Sequence, residues 1–196
     1  MKRNVIIIPK VIERYKKQYE YSIEINLLKF IKYVNNNFTI QIFDKNKEYS
    51  KKDIFIFSGG NNIINFSKSE HDLIRSKLDK LALKNALYLG AKIIGICHGA
   101  HFLASQNKGT FSINKKHNNS KHKIKIENNK RIVNSFHNVV IHSLSKKNKI
   151  LAFSDDNSIE LFENKEMNYL GMIWHPERNK KFNIEDKKII QKFLCN

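Results

Sequence analysis

The order of apolar segments along the chain predicts an α/β domain with a mostly parallel central sheet and a β-rich second half. Up to Gln106, short apolar runs alternate with helical periodicities, which is typical of parallel strands covered by helices. After that point, short β segments follow one another until a last helix. The 196 residues, 41% of them hydrophobic, can build one substantial core, so we expect a single domain over 1–196.

The first half alternates strands with helices. The continuous apolar run from Val5 to Ile8 predicts a strand that is buried on both faces. Three further strands are predicted at Thr39 to Phe43, Asp53 to Phe57 and Lys92 to Ile96. Spacings of three and four from Ile23 to Val34 predict the first helix. A capping box of Ser67 and Glu70 should open the second helix, with Gly90 ending it.

The side chains expected to face the core from that second helix are those of Ile74, Leu78 and Leu81. A third helix is predicted from Ala100 to Gln106. The polar stretch from Lys108 to His122 is expected to form a loop near the functional site.

The second half consists mainly of short β segments. These are Lys123 to Ile126, Arg131 to Val133, Ile150 to Ser154, Ile159 to Phe162 and Tyr169 to Trp174. Asn183 is expected to cap a terminal helix that turns Ile190, Phe193 and Leu194 inward.

Charge and cysteine content narrow the classes of protein. The chain has 36 Lys and Arg against 18 Asp and Glu, a formal net charge of +18. Lysine supplies most of the cations, which favours charge spread over a solvated surface rather than a nucleic-acid interface. Two cysteines cannot make a disulfide scaffold, and no apolar run is long enough for a signal peptide or a membrane span. We therefore expect a cytoplasmic protein with neither nucleic acid nor membrane as partner, and no cofactor or metal.

The segment Gly95-Ile96-Cys97-His98-Gly99 joins a predicted buried strand to a predicted helix. Glycines two residues before and after the cysteine are typical of a nucleophile elbow, where strand and helix approach too closely for a Cβ. The sulfur would lie at a helix N-terminus, which favours thiolate. The alternative is an ordinary buried cysteine between two glycines.

The motif His175-Pro176-Glu177 follows the last predicted strand. In extended backbone, residues two apart point the same way, so the imidazole and the carboxylate should lie together. This pairing suits a base, His175, oriented by an acid, Glu177. By itself His175 would be interpreted as a surface histidine.

Two further segments follow predicted strands. Ser58-Gly59-Gly60-Asn61-Asn62 could turn backbone N–H groups toward an anion, and with the His98 N–H form an oxyanion hole, although a plain glycine turn is equally consistent. Val133-Asn134-Ser135-Phe136-His137 ends in polar groups, and His137 is either a substrate contact or a structural histidine.

These four segments, in this order, resemble the class I glutamine amidotransferase superfamily and, within it, the γ-glutamyl hydrolase branch. The resemblance implies a flavodoxin-like fold and attack by Cys97 on a γ-glutamyl amide. A γ-glutamyl thioester would then be hydrolysed to glutamate, with His175 as base and then acid, Glu177 orienting it, and the backbone of Gly60 and His98 holding the oxyanion. Expected substrate contacts are Gly59, Asn61, His101, Asn134, Ser135, Phe136, His137 and Lys10.

The sequence departs from the family pattern at one position and resembles a second family at another. Many members have glutamine four residues after the cysteine, where this chain has His101, so an altered substrate is expected. The elbow Cys97-His98-Gly99 also resembles that of the DJ-1 and PfpI proteins. That family would require an early acid, here Glu13, and it has no use for His-Pro-Glu.

Three functions remain open at this stage. The favoured one is a stand-alone hydrolase that releases glutamate from a γ-glutamylated small molecule; polyamine breakdown, folate polyglutamates and nucleotide intermediates of capsule synthesis are the settings that the resemblance implies. The positive charge favours a phosphate-bearing substrate, which Lys10 and Arg178 could meet. The alternatives are a glutaminase subunit that passes ammonia to a synthetase partner, and a basic binding module without activity.

Overall fold

The computed structural model describes residues 3–127 and 129–195. This part of the chain contains thirteen strands and four α-helices. The strands are β1 (Asn4–Ile8), β2 (Lys10–Tyr15), β3 (Gln18–Ser22), β4 (Thr39–Ile42), β5 (Ile54–Phe57), β6 (Lys92–Ile96), β7 (Thr110–Ile113), β8 (Ser120–Ile126), β9 (Asn129–Ser135), β10 (Val139–Ser143), β11 (Lys149–Ser154), β12 (Ile159–Asn164) and β13 (Tyr169–Met172). The helices are α1 (Ile25–Val34), α2 (Glu70–Leu89), α3 (His98–Ser105) and α4 (Ile184–Cys195). Met1, Lys2, Asn128 and Asn196, which the predicted domain 1–196 includes, lie outside the described residues.

The main sheet has the order β4-β1-β5-β6-β13-β12-β11-β8-β9. The strands from β4 to β13 in that order are parallel neighbours. Numbered along the chain, these five strands follow the flavodoxin-like order 2-1-3-4-5. The remaining pairings, from β13 to β9, are antiparallel and extend one side of the sheet. The predicted α/β class with its β-rich second half is therefore confirmed.

Apolar side chains bury both faces of the sheet. Val5 and Ile7 of β1 pack toward α1 and α4, while Ile6 and Ile8 pack toward α2 and α3. Because successive side chains of a strand point to opposite faces, a strand covered on both sides needs a continuous apolar run. This arrangement places the carboxyl ends of β1, β5, β6 and β13 together at one edge.

The prediction for α2 was wrong in two respects. Among the described residues, Ser67 and Glu70 do not form the expected capping box at the start of this helix. Instead, the hydroxyls of Ser67 and Ser69 both donate to Asp72, at 2.5 and 2.6 Å. The buried face also differs in part: Leu78 packs against the core as predicted, but Leu81 is 38% exposed. The buried positions include Asp72, Arg75, Asp79, Ala82 and Ala86. A charged residue can occupy a helix core face when its partner is one turn away, as Asp79 is for Arg75.

Three regions hold strands that the sequence did not predict. A hairpin of β2 and β3 follows β1. The stretch from Lys108 to His122, expected to be a loop, contains β7, a 3₁₀ turn at Lys115–His117 and the start of β8. The third region is β10, which pairs with β7 in a separate two-stranded sheet.

The four helices of the described residues include none that is long and apolar enough to cross a membrane.

Candidate active site

The elbow between β6 and α3 holds Cys97 in strained backbone. Its φ of 49° and ψ of −102° lie where residues with a Cβ are rarely found. A Cβ on Gly95 would lie 2.6 Å from the Ala100 backbone nitrogen, and one on Gly99 would overlap the Phe57 carbonyl. The tight turn predicted from the two glycines is confirmed, and their spacing has the expected steric cause.

His175 and Glu177 meet beside the elbow. The His175 Nδ1 lies 2.5 Å from the Glu177 Oε1, and both residues are buried. The predicted pairing is confirmed, but the backbone between them is a 3₁₀ turn at Pro176–Arg178 rather than an extended segment. A Cβ on Gly59 would lie 2.6 Å from the His175 Cε1 and 3.4 Å from the Cys97 Cβ. Gly59 thus lets the imidazole approach the cysteine.

The surroundings of Cys97 and His175 favour a thiolate and an imidazolium. Burial raises the pKa of the Cys97 thiol, but the charge of His175 and hydrogen bonding from His101 and His175 outweigh it and lower the pKa to about 5. Burial also lowers the pKa of His175, but Cys97 and Glu177 together raise it to about 10. At neutral pH the two groups therefore favour a charged pair, the reactive form of a cysteine nucleophile.

A buried ion network from α2 holds the loop that follows β5. The Arg75 Nη2 donates to the Ser58 carbonyl at 3.0 Å, and the Arg75 Nε donates to the Asp79 Oδ1 at 2.7 Å. The other Asp79 oxygen lies 2.8 Å from the His98 Nε2. One carboxylate thereby connects the glycine loop to the first residue of the elbow helix.

Asn61 uses its side chain to fix the same loop. Its Oδ1 accepts from the Val11 N–H at 2.9 Å, and its Nδ2 donates to the Val11 carbonyl at 2.9 Å and to Asp72 at 3.0 Å. The amide, expected to contact substrate, is therefore engaged with β2 and α2. Gly60, with φ of +111°, packs on Lys10, since a Cβ there would lie 2.7 Å from the lysine Cδ.

A cavity of about 240 Å³ opens above Cys97. Its walls come from the glycine loop, the elbow, the segment after β9 and the turn after β13. The lining residues include Gly60, Asn61, Cys97, His98, His101, Phe136, His137, Val139, His175 and Arg178. The Arg178 guanidinium and the rings of His101 and His175, whose pKa values are raised, give this lining positive charge, which favours an anionic occupant.

A family model for peptidase C26 matches residues 44–177, the segment that runs from the end of β4 through Glu177. The chain belongs to the peptidase C26 family. It thereby falls in the class I glutamine amidotransferase-like superfamily, on the γ-glutamyl hydrolase branch, as the motifs predicted.

Two relatives of this C26 chain share about a third of its residues over the matched segments. A gamma-glutamyl-CDP-amidate hydrolase of Campylobacter jejuni is 33% identical over 128 residues, 65% of this chain and 64% of that protein. The glutamine amidotransferase-like protein YvdE of Lactococcus lactis is 31% identical over 144 residues, 62% of this chain and 61% of that protein. Each match covers less than two thirds of the relative's length.

Solved structures agree with the C26 fold. A protein of Thermoplasma acidophilum described as a GMP synthase subunit superposes with a TM-score of 0.73 at 17% identity, over 100% of this chain and 94% of that one. A glutamine amidotransferase of Thermotoga maritima gives 0.66 at 14% identity, over 97% and 84% of the two chains. At such identities the likeness concerns the fold alone.

His101 occupies the position where many superfamily members have glutamine. Its buried ring places Nδ1 2.9 Å from the Cys97 carbonyl and Nε2 2.8 Å from the Val139 carbonyl. Because carbonyl oxygens only accept, both nitrogens donate when the ring is an imidazolium. Burial lowers the pKa of His101, but its interactions with Cys97 and the two carbonyls raise it overall. These interactions favour the protonated form of His101, which would place a second positive charge beside the thiolate.

The expected contacts from Asn134 to His137 divide into two groups. Asn134 clamps the His175 backbone, donating to its carbonyl at 2.7 Å and accepting from its N–H at 2.9 Å. Ser135 is fully buried and donates to the His117 carbonyl. These two side chains therefore bond to backbone groups around the site and do not line the cavity, whereas Phe136 and His137 do. Burial lowers the pKa of His137 to about 2, which keeps its ring neutral.

Arg178 lines the cavity and shares the Glu24 carboxylate with Lys10, which is not among the lining residues. The Arg178 guanidinium donates to both Glu24 oxygens, at 3.0 and 2.5 Å, and the Lys10 Nζ lies 3.7 Å from the Glu24 Oε1. Arg178 also stacks over Phe136, whose ring meets the His175 ring edge-on. Glu13, which a DJ-1-like site would require, is exposed and accepts from the Lys17 N–H in the hairpin.

Sequence reasoning missed the residues that support the site. Arg75, Asp79 and Glu24 carry no motif, and their roles appear only when helices pack on the loop ends. Glu160 offered a signal, because it is a lone carboxylate in the apolar run Ile159 to Phe162. A charged residue in a buried strand requires partners, and the side chains near Glu160 are those of His117, His122 and His137.

Proposed function

We propose that this protein is a cysteine-dependent amidohydrolase that cleaves a γ-glutamyl amide through a γ-glutamyl thioester and releases glutamate. The observation that carries the proposal is that Cys97, at a strained elbow, lines the same cavity as His175, whose ring is paired with the buried Glu177 carboxylate. Membership of the C26 family and the likeness to a gamma-glutamyl-CDP-amidate hydrolase support the same bond as the target.

In the first half of the proposed reaction, the Cys97 thiolate attacks the γ-carbonyl carbon. The carbonyl electron pair moves to the oxygen, which the backbone N–H groups of Gly60 and His98 stabilise as an oxyanion hole. The oxyanion then collapses, the C–N bond breaks, and the His175 imidazolium donates its proton to the leaving nitrogen. The products at this point are a free amine or amidate and a thioester on Cys97.

In the second half, the neutral His175 removes a proton from water, and the hydroxide attacks the thioester carbon. Collapse of this intermediate breaks the C–S bond, restores the thiolate and releases glutamate. Glu177 keeps the His175 Nδ1 protonated throughout, so that the Nε2 carries out both transfers. The free thiolate requires reducing surroundings, which is consistent with the expected cytoplasmic location.

The proposed substrate carries an anionic leaving part. Three observations support this: the net charge of +18, the Arg178 guanidinium in the cavity lining, and a histidine at position 101 with a raised pKa where many members have glutamine. The named relative is a gamma-glutamyl-CDP-amidate hydrolase, and the CDP part of such a substrate bears phosphates. Lys10 lies beside Gly60, which lines the cavity, and remains a predicted contact for such a group.

A second candidate is the glutaminase subunit of a two-component amidotransferase, favoured by the 31% identity to the amidotransferase-like protein YvdE. It would hydrolyse glutamine with the same three residues and pass ammonia to a synthetase partner.

The test is glutamate release over a panel of γ-glutamyl amides, with γ-glutamyl nucleotide amides, neutral γ-glutamyl amides and glutamine compared. We expect the phosphate-bearing members to give the highest kcat/KM, and Cys97→Ser to lose at least about a thousandfold. Cys195→Ser is the matched control, because Cys195 is exposed near the chain end. Undiminished turnover by Cys97→Ser would exclude the mechanism. Glutamine as the best substrate, with stimulation by a co-purifying synthetase, would replace the hydrolase with the second candidate.

A further inference from the structure

A second group of ionisable side chains lies behind the cavity wall, and we call it the histidine cluster: His117, His122, His137 and Glu160. They come from four places in the fold, namely the 3₁₀ turn, β8, the segment after β9, and β12. Glu160 is fully buried, and His117 and His137 are 4% and 6% exposed. The proposed hydrolase reaction uses none of their ring nitrogens or carboxylate oxygens.

The polar atoms of this cluster face one another without hydrogen bonds. Three ring nitrogens lie close to the Glu160 Oε1: the His122 Nε2 at 3.2 Å, the His117 Nδ1 at 3.6 Å and the His137 Nε2 at 3.8 Å. Neither Glu160 oxygen nor any of these nitrogens has a hydrogen-bond partner among the described residues. Burying that many unpaired polar atoms is costly, so the arrangement calls for a group that all of them can bind.

In His117 and His137, the ring nitrogen that faces away from Glu160, here called the outer nitrogen, already donates a hydrogen bond. This bond determines whether the inner nitrogen, which faces Glu160, carries a proton or a lone pair. The His117 Nε2 donates to Asp156 at 2.8 Å, and the His137 Nδ1 donates to the Val139 carbonyl at 2.8 Å. In a neutral ring whose outer nitrogen donates, the inner nitrogen carries a lone pair. Two lone pairs thus point toward a carboxylate, which is repulsive unless a cation lies between them. Histidines bonded in this way to a carboxylate or a carbonyl are typical of metal sites.

We propose that His117, His137 and Glu160 bind a divalent transition-metal ion of the zinc type, and that a water molecule or the neighbouring His122 completes the tetrahedron. Metal–ligand bonds of about 2.0–2.2 Å in a tetrahedron place neighbouring donor atoms about 3.3–3.6 Å apart. The donor atoms of the first three residues lie within 4.8 Å of one another, and the three distances to Glu160 are 3.2 to 3.8 Å. Imidazole donors favour zinc, nickel, copper or iron over magnesium or calcium.

The proposed ion would stiffen the wall of the catalytic cavity. The Val139 carbonyl accepts from the His137 Nδ1 and from the His101 Nε2, both at 2.8 Å. His101 in turn contacts the Cys97 carbonyl. The site therefore tethers β12 and the 3₁₀ turn to the segment that carries Phe136 and His137. This role is structural, and the proposal does not rest on the proposed reaction.

The experiment uses the full chain after treatment with a chelator, so that its metal content is known. Calorimetric titration with zinc should give one equivalent bound, and cobalt should give the visible absorption of a tetrahedral site with nitrogen and oxygen donors. Saturating zinc should also raise the Tm of the wild-type protein, since a ligand that binds the folded state stabilises it. The same titrations are repeated on Cys97→Ser, because a thiolate could itself bind the metal.

Variants locate the metal on the chain. Glu160→Gln and His137→Ala should abolish stoichiometric binding, and Asp156→Asn, behind a ligand, should weaken it about 10- to 100-fold. His142→Ala is the matched control, because His142 is an exposed histidine on β10 that contacts Ser112 instead of the cluster. Circular dichroism of each metal-free variant shows whether it folds.

The results either support or overturn the site. Binding retained in Cys97→Ser and His142→Ala but lost in Glu160→Gln and His137→Ala would support it. Failure of the wild-type protein to bind zinc or cobalt would overturn it, as would binding that Cys97→Ser abolishes. If the cluster variants do not fold, the wild-type cobalt spectrum decides: thiolate charge-transfer bands would contradict the proposal, and their absence together with the Tm increase would support it. A failed γ-glutamyl assay would leave these results unaffected.

Discussion

Cys97 is a buried thiol whose ionisation depends on two imidazole rings. His175 and His101 both favour the thiolate, and together they lower the pKa of Cys97 to about 5 against the effect of burial. A glutamine at position 101, as in other superfamily members, would supply no charge. The substitution therefore couples the reactivity of the nucleophile to a residue that also hydrogen-bonds the cavity wall at Val139.

The pH profile of kcat/KM should report this pair. Below about pH 5 the Cys97 thiol is protonated and cannot attack, so activity should rise as pH increases through that value. Above about pH 10 His175 loses the proton that the leaving nitrogen needs, so activity should fall again. The two limbs belong to the coupled pair rather than to either residue. An acid limb near 8 or 9, the range of an ordinary thiol, would contradict the charged pair.

Replacement of His175 and of Glu177 should have unequal effects. His175→Ala removes the proton carrier and should nearly eliminate turnover, whereas Glu177→Gln keeps the imidazole but orients it poorly, so its kcat should fall less. Steady-state glutamate release measures both, and Glu13→Gln in the exposed hairpin is the control, expected to be silent. A large loss in the control with little loss in the other two would favour the DJ-1-like alternative.

At the scale of elements, α2 contributes a buried ion pair where the sequence predicted an apolar face. Asp79 is fully buried between Arg75 and His98, and its pKa is lowered because those partners outweigh the burial that would raise it. Through Ser58 and His98 this one carboxylate positions both segments that supply the proposed oxyanion hole. The stability of α2 and the geometry of the site are therefore linked.

Asp79→Asn should test that link. It leaves Arg75 without its charge partner in the core, which typically costs about 3–5 kcal/mol in the free energy of unfolding. Urea denaturation measures the loss, and kcat/KM should fall as well because the glycine loop is released. Glu185→Gln breaks an exposed pair with Lys188 and should change stability by less than about 1 kcal/mol. Equal effects of the two substitutions would mean that the network does not support the fold.

The same elements mark the boundary of what could be predicted. Strands buried on both faces and the two motifs at strand ends are local patterns, so β1, β5, β6, the elbow and the His175–Glu177 pair were predicted correctly. Residues whose role depends on distant partners were not. Arg75 belongs to no motif, the amides expected at Asn61 and Asn134 to contact substrate bond to the backbone of Val11 and His175, and β7 could not be assigned without its partner β10. Polar side chains satisfied by long-range contacts leave no periodic signal.

At the scale of the whole molecule, the net charge of +18 surrounds a cavity with cationic lining. Most of this charge is carried by lysines on a solvated surface, where each makes a weak and long-range contribution. Such a field increases the rate at which an anionic substrate reaches the cavity without contributing specific contacts. Specific recognition would then fall to groups at the cavity edge, of which Arg178 is held in place by Glu24.

Salt should separate these two contributions. The Debye length is about 8 Å at physiological ionic strength, so added salt screens the diffuse field of the surface lysines but acts less on partly buried groups. We expect kcat/KM for a phosphate-bearing γ-glutamyl amide to fall as salt is raised, while kcat/KM for a neutral γ-glutamyl amide changes little. Arg178→Gln should lower kcat/KM for the anionic substrate at every salt concentration, because it removes a fixed contact. If both substrates respond equally to salt, steering by the protein's charge has no part in substrate choice, and the anionic leaving group must be recognised by contacts alone or not at all.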